Sequence, residues 1–323
     1  MIKKFGYITF LSSLLFSIAC EKNEFIGPPI ESFYGNLEIL ESFSNDKPVG
    51  VDFSNGDTVN FNCEFSVSSN YQINIVGRTS GATFSILGSN IDLSDSHWLG
   101  NSQNIFFKQY EWCDITLSFD SYDTTLTDSV LILGVRDFSN DGLLLTSFEN
   151  TNEYSIVTSS NNDEFGVNSN PNFAIHGTNY LNTLGIGNSS WFGAVRFSWN
   201  SSPITHSDIN TIYFNGFFYS DLSGSAFVIK VFEDQNANGV YDAGLDEAYA
   251  SKINLNANSQ WNKYHISLAD LIIDQSGNNV LIDGELNPQN IIRIDITNSQ
   301  SGTVNGQFGY SADYFIVTYN EPL

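Results

Sequence analysis

Apolar residues in this chain recur at every second position and nowhere over a long stretch at helical spacing. A period of two sends alternate side chains to opposite faces of an extended strand. Such a chain must build sheets with one covered face. The clearest segment is Thr58 to Val67, where Val59, Phe61, Cys63 and Phe65 point one way and Asn60, Asn62 and Glu64 the other. In Trp112 to Phe119, Cys113, Ile115, Leu117 and Phe119 share a face, and Val130 to Gly134 is a third segment. Further strands are predicted over Asn172–His176, Trp191–Trp199, Thr211–Tyr219, Ser225–Glu233, Trp261–Leu268, Ile291–Thr297 and Asp313–Tyr319, with one helical turn in Leu268–Ile273. Gly, Asn, Asp and Ser bound these segments, and no repeat of 20–50 residues is visible. The fold class expected is all-β, with two β-sandwich domains at 36–136 and 143–323 and a boundary in Asp137–Gly142.

Aromatic residues make up 14% of the chain, which separates it from acidic disordered sequences. Acids outnumber bases 36 to 12. That surface repels nucleic acid and anionic lipid, since binding phosphates needs clustered Lys and Arg. It suits an extracellular protein and cation binding.

The first residues carry Lys3 and Lys4, then an apolar run from Phe5 to Ala19 that ends Ser17-Ile18-Ala19-Cys20. A positive start, a short apolar stretch and a small residue before the cut make a secretory signal, too short to span a membrane. The arrangement resembles a bacterial lipoprotein signal, which implies residues 1–19 as signal peptide and Cys20 as the lipidated first residue. The plain alternative is an ordinary signal cleaved elsewhere. Loss of residues 1–19 removes two lysines and no acid, so net charge moves from −24 to −26. Glu21, Lys22, Asn23 and Glu24 resemble the export signals of Bacteroidota surface lipoproteins. Residues 20–35, with Gly27, Pro28 and Pro29, read as a tether. The location implied is the outer membrane, lipid-anchored and exposed at the cell surface.

Two cysteines remain, Cys63 and Cys113, both on the inward phase of their strands. An inter-sheet disulfide of the immunoglobulin-like kind needs that phase, and the envelope is oxidising. Two separate buried thiols are the alternative. An immunoglobulin domain would carry Tyr two residues before the second Cys, where this chain has Glu111.

Asp234-Gln-Asn236-Ala-Asn238-Gly239-Val240-Tyr-Asp242 matches the first nine positions of an EF-hand-type loop. Calcium takes six to eight hard oxygens, which alternate side chains on a tight turn supply. Asp234, Asn236, Asn238, the Val240 carbonyl and Asp242 are the expected ligands of a structural Ca²⁺. The twelfth position is Leu245, so Asp246 or Glu247 must substitute. The flanks are strands, and the alternative is a metal-free Asn/Gly turn. Asp274-Gln-Ser276-Gly-Asn278, with Glu285, is a fainter echo.

Phe148-Glu149, Asn179-Tyr180-Leu181, Trp191-Phe192-Gly193, the loop at 233–242, Trp261 to Leu271 and Ala312 to Val317 occur in an order that resembles a galactose-binding-like jelly-roll module. Modules of this kind end Bacteroidota surface glycan-binding lipoproteins beside starch-utilisation-type import systems. The resemblance implies a jelly roll at 143–323 that binds oligosaccharide or polysaccharide, an immunoglobulin-like spacer before it, and an outer-membrane import complex as partner. It also implies that Phe148-Glu149 and Asp313 frame a second, structural calcium.

Sugar rings stack on exposed aromatics while amides and carboxylates bond their hydroxyls. Trp191 and Phe192, with Asn188 beside them, sit after a Gly/Asn/Ser loop and are the first candidates, with packing as the alternative. Trp98 lies in a polar stretch and joins them. Trp112 is out of phase with Cys113 and is expected to be exposed; Trp199 and Trp261 are expected to pack. No G-x-S-x-G, H-E-x-x-H or C-x-x-C occurs, and the four histidines are scattered, so no catalysis is expected. The competing reading is a structural or adhesive lipoprotein that contacts protein.

Overall fold

A computed structural model describes residues 35–158, 164–186, 192–274, 282–302 and 306–323. The predicted signal, Cys20, Asn188, Trp191 and most of the Asp274–Asn278 segment lie outside the described residues. Helix among the described residues is confined to five single 3₁₀ turns. The chain is all-β, as its alternation predicts.

The N-terminal sandwich is built from β1 (Ile39–Asn45), β2 (Val51–Asp52), β3 (Val59–Gly77), β4 (Thr83–Asp92), β5 (His97–Trp98), β6 (Trp112–Phe119) and β7 (Tyr122–Gly134). Strand β3 serves two sets of neighbours. Its first half pairs with β1 and β5, and its second half with β4 and β6. Phe61, Cys63 and Phe65 from one half meet Ile73 and Ile75 from the other in a single core, closed by Ile115, Leu117 and Trp98.

The expected disulfide is absent: Cys63 and Cys113 are both free and buried. Phase placed both side chains inward correctly, but phase says nothing of distance. Cys113 pairs with Gly77 on β3, fourteen residues along that strand from Cys63. A strand rises about 3.3 Å per residue, whereas a disulfide needs Cα atoms within roughly 7 Å. The Cys63 Sγ donates instead to the Glu41 carbonyl at 3.2 Å. Burial, with Glu41 nearby, pushes its thiol up to about 11.

The C-terminal sandwich has two sheets. One holds β10 (Glu164–Ser169), β11 (Asn179–Ile186), β20 (Ser311–Tyr319), β13 (Ile212–Tyr219) and β16 (Trp261–Ser267) in that spatial order, with β8 (Gly142–Thr146) and β19 (Gln307–Phe308) at its margins. The other runs β17 (Ile272–Ile273), β15 (Ala248–Asn254), β14 (Ser225–Glu233), β18 (Ile291–Gln300), β12 (Gly193–Ser198) and β9 (Ser155–Thr158). Leu181, Phe214, Phe218 and Phe315 of the first sheet meet Val195, Phe227, Ile229 and Ile296 of the second. Phe218 stacks on Phe227 across the layers at 4.0 Å. Trp199 packs at the core margin and Trp112 is exposed, as the phase of each predicts.

The predicted strand at Asn172–His176 is a loop. Asn170 captures the next amides: its side chain accepts from Asn172 N and its carbonyl from Phe173 N and Ala174 N. The chain therefore turns on itself, as Asx motifs before a proline direct. That loop is drawn onto the outer face of the first sheet.

Candidate ligand face and calcium loop

Residues opposite one another in an antiparallel sheet point to the same side. Trp261 faces Tyr219, Tyr219 faces Ser311, Ser311 faces Asn182, and Asn182 faces Gly166. One row thus crosses five strands on the face turned away from the core. Phe173, from the 170–178 loop, leans over one end of the row. Its ring lies 4.9 Å from Tyr180, 4.9 Å from Tyr219 and 5.1 Å from Trp261. Its carbonyl accepts from Trp261 Nε1 at 2.9 Å. All four rings are half-buried. Ser311 Oγ donates to Asn182 Oδ1 at 3.0 Å, which fixes the amide with its NH₂ group bonded to no protein acceptor among the described residues. An aromatic end and an amide end on one strip match the two contacts a sugar needs.

The neighbouring part of this face is covered. Phe217, Tyr314 and Ile316 pack with Ile175 and with Phe106 and Phe138 from the N-terminal side. The Phe106 ring is 4.7 Å from Phe217 and 4.9 Å from Tyr314. Asp313 lies fully buried beside this seal. Its Oδ2 accepts from Ile175 N and His176 N, while Oδ1 has no hydrogen-bond partner among the described residues. Burial holds its carboxyl well above the usual carboxylate range. Glu149 is saturated by Thr178 and Asn179. The two acids that the resemblance marks as a calcium frame thus both pin the second half of the 170–178 loop.

Two predicted sugar ligands are corrected. Trp98 has no exposed surface; it sits edge-on between Phe53 and Phe107 at 4.7 and 4.8 Å, and its Nε1 donates to Asn101 O. Phe192 is 1% exposed and packs against Phe165 and Phe308. Its amide donates to Asn298 Oδ1. Neither ring can reach a ligand. Trp261, expected only to pack, stands at the end of the strip.

The loop at 234–242 is folded as a tight turn. Gly239 has φ +81° and Ala237 φ 56°. Asp234 draws the loop inward, Oδ1 accepting from Asn238 N and Oδ2 from Gly239 N at 2.6 Å. Asn238 Nδ2 donates to Asp242 Oδ2 at 2.6 Å, so donors of the predicted set face one another. Asn236 Nδ2 also donates to Asp242 Oδ2, at 3.4 Å, and Asn238 Oδ1 accepts from Val240 N, so both amides turn their NH₂ groups toward Asp242. Asp246 and Glu247 do other work. Asp246 accepts from Gln235 N and Asp242 N; Glu247 accepts from Ile282 N, Gly284 N, Gln235 Nε2 and the Tyr249 hydroxyl. Both clasp the loop to its neighbours. Leu245 is exposed. Among the described residues no three Asp, Glu, His or Cys side chains form a metal cluster. Beneath the loop Glu233 is fully buried, and burial together with Asp283, Glu247 and Asp246 pushes it up to about 8.

No family model and no curated protein matches the chain. Solved structures similar to it include a family 11 carbohydrate-binding module from Clostridium thermocellum in complex with a β-1,3-1,4-mixed-linked tetrasaccharide, at TM-score 0.39 and 15% identity, over 55% of this chain and 94% of that one. Another is a structure on the promiscuous specificity of carbohydrate-binding modules of the β-sandwich superfamily, at TM-score 0.40 and 8% identity, over 88% of this chain and 98% of that one. A third is the glycoside hydrolase domain of Endo-D from Streptococcus pneumoniae R6, at TM-score 0.32 and 11% identity, over 53% of this chain and 22% of that one.

Proposed function

We propose that this chain is a non-catalytic glycan-binding protein, lipidated at Cys20 and held at the outer membrane, that captures saccharide on the strip Trp261–Tyr219–Ser311–Asn182. The observation that carries this reading is the juxtaposition of half-exposed rings and an amide across five strands. Phe173 and Tyr180 extend the stacking surface. Affinity electrophoresis of residues 21–323 through gels of different polysaccharides tests it. At least one neutral glycan is expected to retard the protein. Tyr219→Ala is expected to weaken retention by about tenfold or more, equivalent to about 1.4 kcal/mol. The adhesive reading has its own support, since Phe106 and Phe138 already occupy part of this face. No retardation by any polysaccharide would leave protein contact as the function.

Calcium at Asp234, Asn236, Asn238, Val240 and Asp242 is the second element of the proposal. A structural ion there would tie β14 to the loop without any opening movement. Few carboxylates point to the extracellular affinity class, with Kd about 10⁻⁴–10⁻³ M. At about 5 mM calcium such a site adds roughly 1–2 kcal/mol, a rise of a few degrees in melting temperature. Asp234→Ala is expected to abolish that rise. Melting that ignores both calcium and EDTA rejects the site.

A further inference from the structure

Between the two sandwiches lies a cleft of about 380 Å³. That volume falls in the range of small-molecule sites, which favour domain junctions. Phe53, Phe106, Phe107 and Phe138 supply its apolar surface, and Lys108, Gln109, Arg136 and His176 its polar groups. Acids outnumber bases three to one in the chain, yet this lining holds two bases and no Asp or Glu. We propose that the cleft binds a carboxylate-bearing saccharide, a uronic acid residue, at a site separate from the aromatic strip.

Each group is placed for that ligand. The Arg136 guanidinium stacks on Phe138 at 4.9 Å and spends only Nη2, on Asp141. Its Nε and Nη1 bond no protein acceptor among the described residues. A planar fork with open donors suits a carboxylate. Lys108 crosses the junction to the Pro171 carbonyl at 3.3 Å and has no carboxylate partner among the described residues. The buried His176 Nδ1 also has no hydrogen-bond partner among the described residues. The phenyl rings offer the flat face on which a pyranose C–H surface can rest. An adjoining cavity of about 350 Å³ shares Phe106, Arg136 and Phe138, and Lys263 lines it together with Asp141 and Glu321. Lys263 has no ion-pair partner among the described residues, and burial lowers its pKa. Three cations therefore border this junction; Arg136 is paired with Asp141, and Asp57, Asp137 and Glu321 line the adjoining cavities rather than the cleft itself. The long-range repulsion of the acidic chain is screened beyond roughly 8 Å at physiological salt, so contacts decide at the site.

Titration calorimetry of residues 21–323 with D-galacturonate and its trimer tests this, with galactose and benzoate as controls. The uronates are expected to bind. Arg136→Gln and Lys108→Met are each expected to weaken them about tenfold, as for loss of one charge-assisted contact, while Tyr219→Ala leaves them unchanged. The Lys108 side chain makes a single exposed bond, so Lys108→Met decides the matter even if Arg136→Gln fails to fold. Absence of uronate binding, or binding indifferent to both cation substitutions, overturns the site. Benzoate bound as tightly as galacturonate overturns the saccharide assignment. Loss of uronate binding in Tyr219→Ala would merge it with the strip.

Discussion

Glu111→Ala is expected to lower the unfolding free energy by roughly 2–3 kcal/mol, the cost of taking the acceptor from several part-buried donors. Glu111 is 3% exposed. Its Oε2 accepts from Thr79 N at 3.0 Å and Ser80 N at 2.9 Å; its Oε1 accepts from Ser80 Oγ and Lys108 N. One carboxylate therefore closes the β3–β4 turn and fastens the segment before β6. Alanine would take their acceptor from three backbone N–H groups and from the Ser80 hydroxyl, all of them part-buried. Glu111→Gln keeps one acceptor oxygen and is expected to cost about half as much. Urea denaturation followed by fluorescence measures both. A loss below about 1 kcal/mol for the alanine variant would show that the loops find other partners. Because Lys108 hangs from this clamp, uronate binding should fall with it.

Glu111 also shows where sequence reading stops. It occupies the position at which an immunoglobulin domain carries its tyrosine, and nothing local indicates that a glutamate there would hold two loops. Alternation was legible wherever one face is covered: Val59 to Phe65 and Cys113 to Phe119 are buried at every second residue. It gave no strand at β4, where every residue is at least partly accessible and Tyr71 packs over Gly88 from the neighbouring strand. The loop at 234–242 was legible because its donors are contiguous. The strip was not, because Gly166, Asn182, Tyr219, Trp261 and Ser311 meet only through the register of five strands. The junction cleft needs the docking of two sandwiches, which no window of sequence contains. Phase located the cysteines on the inner side yet could not measure the length of β3 between them.

Trp98→Ala is expected to cost roughly 3–5 kcal/mol, as for other buried aromatic truncations, and to leave the affinity of the aromatic strip unchanged. This pair of results separates a core tryptophan from a sugar platform. Ser94, Asp95, Ser96 and His97 surround Trp98 with polarity, which suggests an exposed loop. The two-residue strand His97–Trp98 instead pairs with Val59 and Asn60 and turns the indole into the core. Phe53 and Phe107 then enclose it from distant parts of the chain. Truncation removes a fully buried ring, leaves a cavity that Phe53 can fill only by moving, and frees the Asn101 carbonyl that accepts from Nε1. Phe53 and Phe107 also line the junction cleft, so uronate binding is expected to weaken while neutral-glycan retention holds. Loss of neutral-glycan retention in a variant that still unfolds cooperatively would place Trp98 in a ligand site after all, and with it a folded form in which β5 is detached from β3.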